Sequence, residues 1–233
     1  MSQPKIVLHY FPFYGRGGCV REALKYGAVA FDDVNVQFED WPAMKASGST
    51  PFDSLPFMTA DGKVLGQSNA CLAFAGRLSG LYPVDPHQAS VVDSVMSFVE
   101  SNCMPSMNQS FASEDDKKAF RLDFATGAGV GKLPWALGKL QHIIESNESL
   151  SGWFVGPTMT VADLKVRMLV KVIEDNTMDY ITTDHVTAPI KVPPAQLTPR
   201  APHFHPPLTS LLFCMRACLQ LSDSFHRRST MRA

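Results

Sequence analysis

The chain has 233 residues, with 21 lysines and arginines against 22 aspartates and glutamates, so its formal net charge is −1 at pH 7. This length is sufficient for one or two domains with a hydrophobic core. A net charge near zero argues against a protein that binds nucleic acid through its overall positive charge. No stretch approaches the roughly 20 apolar residues that span a bilayer, and the first residues lack the apolar core of a signal peptide. We therefore expect a cytoplasmic protein that binds neither nucleic acid nor membranes.

The cysteine and histidine patterns argue against a metal site. The five cysteines are scattered and show no Cys-x-x-Cys spacing, which indicates neither a zinc site nor a redox pair of the thioredoxin type. The histidines show no ligand spacing either. We therefore predict no bound metal.

The first fifty residues predict a strand, a helix and a second strand. Residues 5–10 show the pattern of a short buried strand, and residues 11–18 form a loop marked by a proline and three glycines. Residues 19–26 have an apolar and a polar face, which is typical of a helix. Apolar residues alternate with polar ones in the second strand, residues 31–38, and residues 39–49 form an irregular polar segment.

The next segment predicts a hairpin and then a helix. Asp61-Gly62 is a turn signal between two short apolar runs, Phe57-Met58 and Val64-Leu65. Leu55-Pro56 precedes the first of these strands, and we expect a cis proline there. Gln67-Ser68-Asn69 then precedes a helical pattern and indicates a helix start, whose free backbone N–H groups suit a carboxylate.

The rest of the chain predicts helices and then an unusual tail. The two prolines of Leu81-Tyr82-Pro83-Val84-Asp85-Pro86 break any helix across a linker. Residues 87–175 show helical periodicity. Ser113 with Asp116, and Thr160 with Asp163, have the spacing of helix caps. Prolines crowd the segment after residue 188, although residues 208–221 show the pattern of a short apolar helix.

Three groups of residues together resemble a known family. They are Leu8-His9-Tyr10-Phe11-Pro12 with Gly15-Arg16-Gly17, Trp41 with Lys45, and Leu55-Pro56 with Asp61-Gly62-Lys63 and Gln67-Ser68-Asn69-Ala70. This set resembles the glutathione-binding half of the cytosolic glutathione transferases, in particular the tyrosine-type classes (sigma, alpha, mu and pi). The resemblance covers roughly residues 5–184 and does not extend into the atypical tail.

The resemblance implies an α/β N-terminal domain with the thioredoxin-like fold (βαβ-ββα), followed by an all-α C-terminal domain. It implies four segments: a glutathione-binding domain over residues 1–80, a linker over residues 81–86, a helical domain over residues 87–183, and a proline-rich tail over residues 184–233. We expect the tail to be poorly ordered. Because relatives continue there with further helices, the departure affects the pocket for the second substrate.

The implied activity is that of a glutathione transferase in cytoplasmic detoxification, with glutathione as the co-substrate and a hydrophobic electrophile as its partner. A thiol has a reference pKa of about 8.5, so most of it is protonated at pH 7. A hydroxyl that donates to the sulfur favours the thiolate. We predict that Tyr10 is this donor. Tyr14 is a competitor, because the loop is one or two residues longer than is usual in the family.

The resemblance also implies the residues that bind glutathione. Gln67 and Ser68 would hold the γ-glutamyl carboxylate, and the main chain of Leu55, before Pro56, would pair with the cysteinyl backbone. The residues at the sulfur and the glycine end are Arg16, which would lend a positive field to the sulfur, and Trp41 and Lys45, which would bind the glycine end. Ser54 stands where many relatives have glutamine.

The resemblance further implies a homodimer. Phe52 matches an aromatic side chain that inserts into the partner subunit in several classes, although an internal role under its own loop is an equal alternative. Relatives often carry an acidic residue on the first long helix that reaches the partner's glutathione. The register puts Ser101 there, with Glu100 and Asp93 nearby, so we assign no residue to that role.

Two other functions use the same features. One is a different enzyme, either a glutathione-dependent isomerase of the prostaglandin type or a reductase that uses Cys19 at a helix start. The other is a member of the fold that binds glutathione or other ligands without turnover, which the atypical tail favours. Binding without turnover of several electrophiles would identify the second.

Overall fold

The computed structural model describes residues 3–107 and 109–187. The strands are β1 (Ile6–Tyr10), β2 (Phe31–Asn35), β3 (Phe57–Ala60) and β4 (Lys63–Gly66). The helices are α1 (Gly15–Tyr26), α2 (Trp41–Ala46), α3 (Ser68–Ser79), α4 (Pro86–Phe98), α5 (Glu114–Thr126), α6 (Leu133–Glu145), α7 (Val161–Glu174) and α8 (Thr183–Thr187). Most of the predicted tail, including its helical pattern over residues 208–221, lies outside the described residues.

The four strands form one mixed sheet in the order β2-β1-β3-β4. β1 is parallel to β2 and antiparallel to β3, and β3 and β4 form the predicted hairpin. Asp61 and Gly62 at its tip both have positive φ angles, 50° and 77°, as a two-residue type I′ turn requires. With α1 and α3 packed together, this half has the predicted βαβ-ββα order.

The prediction of a loop as far as residue 18 is wrong, because α1 begins at Gly15. The glycines serve close packing rather than chain breaking. A Cβ at Gly17 would overlap the Tyr10 ring, and one at Gly18 would lie 2.6 Å from Cγ of Tyr14. The start of α1 therefore lies directly against the end of β1.

The segment after β2 also differs from the prediction. β2 ends at Asn35 rather than at residue 38, and the segment predicted as irregular contains α2. Pro42 is the second residue of α2, where its missing N–H costs no helical hydrogen bond. Because α2 buries no residue fully, it left no periodic apolar signal in the sequence.

The second half consists of helices, as predicted. The Ser113 hydroxyl accepts a hydrogen bond from the Asp116 N–H (3.1 Å) at the start of α5. Thr160 and Asp163 form the predicted capping box at the start of α7. α7 is buried along most of its length and packs against both α1 and α4. One helix thus contacts both halves of the described chain. No helix in residues 3–107 and 109–187 is long and apolar enough to cross a membrane.

Candidate active site

The sheet brings three of the predicted site residues to one end. His9 pairs with Phe57, and Phe57 pairs with Gly66. One position further along this register are Tyr10, Pro56 and Gln67. Adjacent strands are about 4.8 Å apart, so the three residues occupy neighbouring positions at the carboxyl end of β1.

Tyr10 is arranged as a hydrogen-bond donor. Its side chain is 4% exposed, and its hydroxyl accepts a hydrogen bond from the backbone N–H of Arg16 (3.0 Å). Burial raises the pKa of Tyr10 to about 12, although the Arg16 N–H and the Arg16 charge act in the opposite direction. The phenol is therefore neutral at pH 7, and since its oxygen already accepts from Arg16, its proton is available to a ligand.

Tyr14 has a different environment. Its hydroxyl donates to Glu22 Oε2 (2.7 Å), and the same carboxylate pairs with Arg167 Nε of α7 (3.1 Å). Burial, followed by the charge of Glu22, raises the pKa of Tyr14 well above its usual value. The proton of Tyr14 is thus used in a contact between α1 and α7, which favours Tyr10 as the donor to a ligand.

The start of α3 and the turn before β3 lie beside Tyr10. Ser68 is the first residue of α3 and is buried, whereas Gln67 is exposed and has a positive φ of 69°. The Leu55-Pro56 peptide bond is cis, as expected. Pro56 is buried, and Ser54 and Leu55 are half-buried. This part of the predicted glutathione site is therefore contiguous in the structure.

Trp41 and Lys45 lie on α2, four residues apart and thus on one face of the helix. The Trp41 ring meets the Phe11 ring edge-on, with the centroids 6.1 Å apart, which places α2 next to the segment after β1. Lys45 is exposed. It forms no ion pair with any residue in the described part of the chain, so its charge is available to an anion.

Two functional candidates were not predicted from the sequence. Glu100 follows α4 and accepts hydrogen bonds from Arg16 Nε and from Lys165 Nζ of α7, each at 2.7 Å. Lys165 also contacts the Ser68 hydroxyl at 3.4 Å. Burial alone would raise the pKa of Glu100, but the charges of Lys165 and Arg16 outweigh it and hold this pKa below its usual value. The signal in the sequence for this ion pair was Lys165 itself, a lysine within the apolar run of α7.

An aromatic cluster next to Tyr10 was also missed. Phe38 stacks on Phe11 and Phe13, with centroid distances of 4.6 Å and 6.0 Å. The Phe13 ring lies 5.4 Å from the Tyr10 ring. Phe38 is exposed. The rings give an apolar surface beside the hydroxyl, and the sequence signal for them was the density of phenylalanine after β1.

The remaining candidates are buried or are engaged elsewhere. Cys19 is fully buried, and burial raises the pKa of its thiol to about 11, which disfavours the reductase alternative. The Asp93 carboxylate accepts from the Tyr82 hydroxyl (2.8 Å), and the Ser101 hydroxyl donates to the Ser97 carbonyl (2.9 Å). Among residues 3–107 and 109–187, no cluster of three or more His, Cys, Asp or Glu side chains could hold a metal ion.

The fold and this site define a protein with a thioredoxin-like N-terminal domain and an all-α C-terminal domain. Glutathione S-transferase 2 of Manduca sexta is 32% identical over 166 residues, which are 69% of this chain and 74% of that protein. Glutathione S-transferase 1 of Ascaris suum is 32% identical over 170 residues, 70% of this chain and 77% of that protein. The chain belongs to the glutathione S-transferase family.

The chain is also similar to a solved structure and to a second kind of relative. The glutathione S-transferase of Ascaris lumbricoides superposes with a TM-score of 0.62 at 25% identity, over 79% of this chain and 86% of that chain. The hematopoietic prostaglandin D synthase of Gallus gallus is 28% identical over 160 residues, 69% of this chain and 75% of that protein. No protein-family model matches the chain.

Proposed function

We propose that the chain is a glutathione transferase of the tyrosine type, in which the Tyr10 hydroxyl donates a hydrogen bond to the glutathione sulfur. The observation that carries this proposal is the state of that hydroxyl: it is neutral, it accepts from the Arg16 N–H, and it keeps its proton for a ligand. A bound thiol would lose its proton more readily there, because a hydrogen bond to the thiolate is stronger than one to the thiol.

The rest of the site supports binding of the whole tripeptide. Glutathione carries carboxylates at both ends, and Ser68 with the start of α3 lies at one side of Tyr10, whereas the exposed Lys45 with Trp41 lies at the other. The backbone of Leu55 forms no backbone hydrogen bond with the residues that the structure describes, so it could pair with the cysteinyl residue as an added strand. Gln67, Ser54 and Arg16 complete the proposed contacts.

The aromatic cluster supports a hydrophobic electrophile as the second substrate. Phe11, Phe13 and Phe38 form a partly exposed apolar surface next to the Tyr10 ring. An apolar molecule on this surface would lie close to the sulfur. The protein would then act mainly by positioning the two reactants and stabilising the thiolate.

The first experiment compares Tyr10→Phe with Tyr14→Phe. The ultraviolet absorbance of the thiolate is measured as a difference spectrum on adding glutathione at slightly acidic pH, together with the rate of conjugation of an aryl halide. We expect the wild type and Tyr14→Phe to show the thiolate band. Tyr10→Phe should lose it and lose about 10²-fold in rate, since a catalytic hydrogen-bond donor contributes roughly that much. A band that survives in Tyr10→Phe but not in Tyr14→Phe would overturn this assignment.

An isomerase of the prostaglandin type is a second candidate, favoured by the similarity to the Gallus gallus enzyme. It would use the same thiolate but release glutathione unchanged. Consumption of glutathione with each turnover therefore separates the two enzymes. A chain that binds glutathione and turns over neither kind of substrate would instead be a binding protein.

We also propose the predicted domain boundaries and a cytoplasmic detoxification role, both of which follow from the family. α3 ends at Ser79 and α4 begins at Pro86, which supports a linker whose last residue before the helix is 85 rather than 86. α8 (Thr183–Thr187) crosses the predicted end of the helical domain at residue 183. We therefore extend that domain to residue 187, and the proposed tail begins after it.

A further inference from the structure

Lys165 is buried where α7 passes the start of α3. Its side chain is 0% exposed, and its ammonium group lies 2.7 Å from Glu100 Oε2 and 3.4 Å from the Ser68 hydroxyl oxygen. A buried ammonium group strongly destabilises the folded state unless it is paired. The ion pair with Glu100 already stabilises the ammonium group. The contact with Ser68 is therefore not required for the burial of Lys165.

The direction of the contact with Ser68 is fixed by chemistry. An ammonium group only donates, so the Ser68 oxygen must accept. The proton of Ser68 is therefore turned away from Lys165, and no residue in the described part of the chain accepts it. Ser68 is also the first residue of α3, where backbone N–H groups have no partner within the helix. A carboxylate at this position would receive hydrogen bonds from both.

Among the described residues, the ion-pair group that contacts Ser68 carries one net positive charge. Glu100 is shared by two cations, Arg16 and Lys165. The carboxylate of Glu22 on α1 is paired with Arg167 of α7 instead. Opposite charges within a few ångströms interact strongly in a buried environment. An anionic ligand beside Ser68 would balance the excess.

We propose that Lys165 is a positioning residue that directs the Ser68 hydroxyl, with one net positive charge behind it, toward the α-carboxylate of the γ-glutamyl residue of glutathione. This inference rests on the proposed function and specifies which part of glutathione Lys165 selects. It acts through Ser68 and does not contact the reacting sulfur. Tyr10, at the other end of the Arg16–Glu100–Lys165 chain of contacts, remains the donor to the sulfur.

The test uses two peptides and two matched variants. One peptide is glutathione, and the other carries a γ-aminobutyryl group in place of the γ-glutamyl residue and so lacks only the α-carboxylate. Lys165→Met removes the buried charge, and Lys171→Met is the control on the same helix, where the ammonium group pairs with Glu174 and Asp175 outside the site. KM and kcat for conjugation are measured for each combination.

We expect Lys165→Met to raise the KM for glutathione about tenfold and to change kcat little, because the lost contact binds ground state and transition state alike. The KM for the γ-aminobutyryl peptide should change less than about twofold in Lys165→Met, and Lys171→Met should change neither. This selectivity is what a purely structural role would not produce, because a distorted fold would weaken both peptides.

Equal losses with both peptides, or no loss with either, would overturn the inference and leave the proposed function intact. A wild-type chain that binds neither peptide would overturn both. If Lys165→Met does not fold, as judged by its thermal unfolding, Lys165→Gln serves in its place. It keeps an N–H donor toward Ser68 without the charge, so a smaller rise in KM that is selective for glutathione is expected.

Discussion

The position of the Tyr10 hydroxyl depends on the glycines at the start of α1. The start of α1 lies against the Tyr10 ring because Gly15 and Gly17 have no Cβ, and this proximity lets the Arg16 N–H reach the hydroxyl oxygen. Any side chain at Gly17 would have to displace the ring or the helix. The glycines therefore fix the position of the proposed catalytic group.

Gly17→Ala should reduce both stability and activity. The added Cβ would overlap the Tyr10 ring, and overpacking of this kind costs about 1–3 kcal/mol. Displacement of the hydroxyl should also lower kcat/KM, by about tenfold or more. Urea unfolding and conjugation kinetics measure the two effects.

Gly138→Ala is the control for this substitution, since a Cβ at Gly138 of α6 would meet no described atom within 4 Å. An alanine there should stabilise the helix by up to about 1 kcal/mol, because alanine has the higher helix propensity. Wild-type stability and kinetics in Gly17→Ala would mean that the ring and helix can separate without consequence.

Residues of the proposed site differ in how far the sequence could predict their positions in the fold. Tyr10, Pro56 and Ser68 follow from local motifs, because a strand end, a turn and a helix start are each encoded within a few residues. Glu100 and Lys165 do not. Lys165 is 65 residues from Glu100 and 97 from Ser68 in the chain, so their meeting depends on how the helices pack, which local patterns do not encode.

At the scale of elements, apolar periodicity and capping residues predicted most of the helices. Residues that usually break a helix led to a wrong prediction at the start of α1. The glycines after β1 indicated a loop but form the first turn of α1, since close packing on Tyr10 stabilises what local propensity disfavours. α2 was missed because it buries no residue fully. The capping box of α7 was predicted because its Thr-x-x-Asp spacing is local.

Asp163 of this capping box should make stability depend on pH. Burial raises its pKa from 3.8 to about 6, against the hydrogen bonds from Thr160 and Phe154 that lower it. The folded state thus binds the proton more tightly than the unfolded state. The protonated Asp163 therefore contributes to the free energy of unfolding below about pH 4. This contribution, up to roughly 3 kcal/mol, is lost as the pH rises through about 6.

Urea unfolding of the wild type and of Asp163→Asn across this range measures the effect. The asparagine does not titrate, so the wild type should lose stability relative to Asp163→Asn between pH 4 and 6. Thr160→Ser keeps both the cap and the titrating carboxyl and should follow the wild type. A difference between the wild type and Asp163→Asn that does not change with pH would contradict the proposed ionisation.

At the scale of the whole molecule, the order of elements and the family motifs predicted a thioredoxin-like half and a helical half. The sequence did not predict how the halves contact each other. Glu22 of α1 accepts a hydrogen bond from the Tyr14 hydroxyl and pairs with Arg167 of α7. The Val161 side chain packs so closely on Gly76 of α3 that a Cβ at Gly76 would overlap it. Such contacts are specific pairings of polar groups and shapes, for which a hydrophobic pattern carries no information.

We also propose the homodimer that the resemblance implies, and this proposal gives a prediction at the scale of the whole molecule. Phe52 is 73% exposed and has a positive φ of 57°. A phenylalanine that served inside its own loop would be covered, so this exposure supports the role of an anchor in a partner subunit. Truncation of such an anchor typically costs 2 kcal/mol or more, and a buried charge costs more still.

Phe52→Asp should therefore weaken the dimer by about 30-fold or more, and sedimentation of a dilution series should show monomers where the wild type is dimeric. Val130→Asp, on an exposed segment between α5 and α6, is the matched control and should leave the association unchanged. Glutathione binding by the dissociated monomer also tests whether the partner subunit contributes to the site. If glutathione binding survives dissociation, the site is complete within one subunit; if binding falls with the dimer, the partner contributes to it. A wild type that is monomeric at all concentrations, or a Phe52→Asp variant that associates like the wild type, would contradict the role proposed for Phe52.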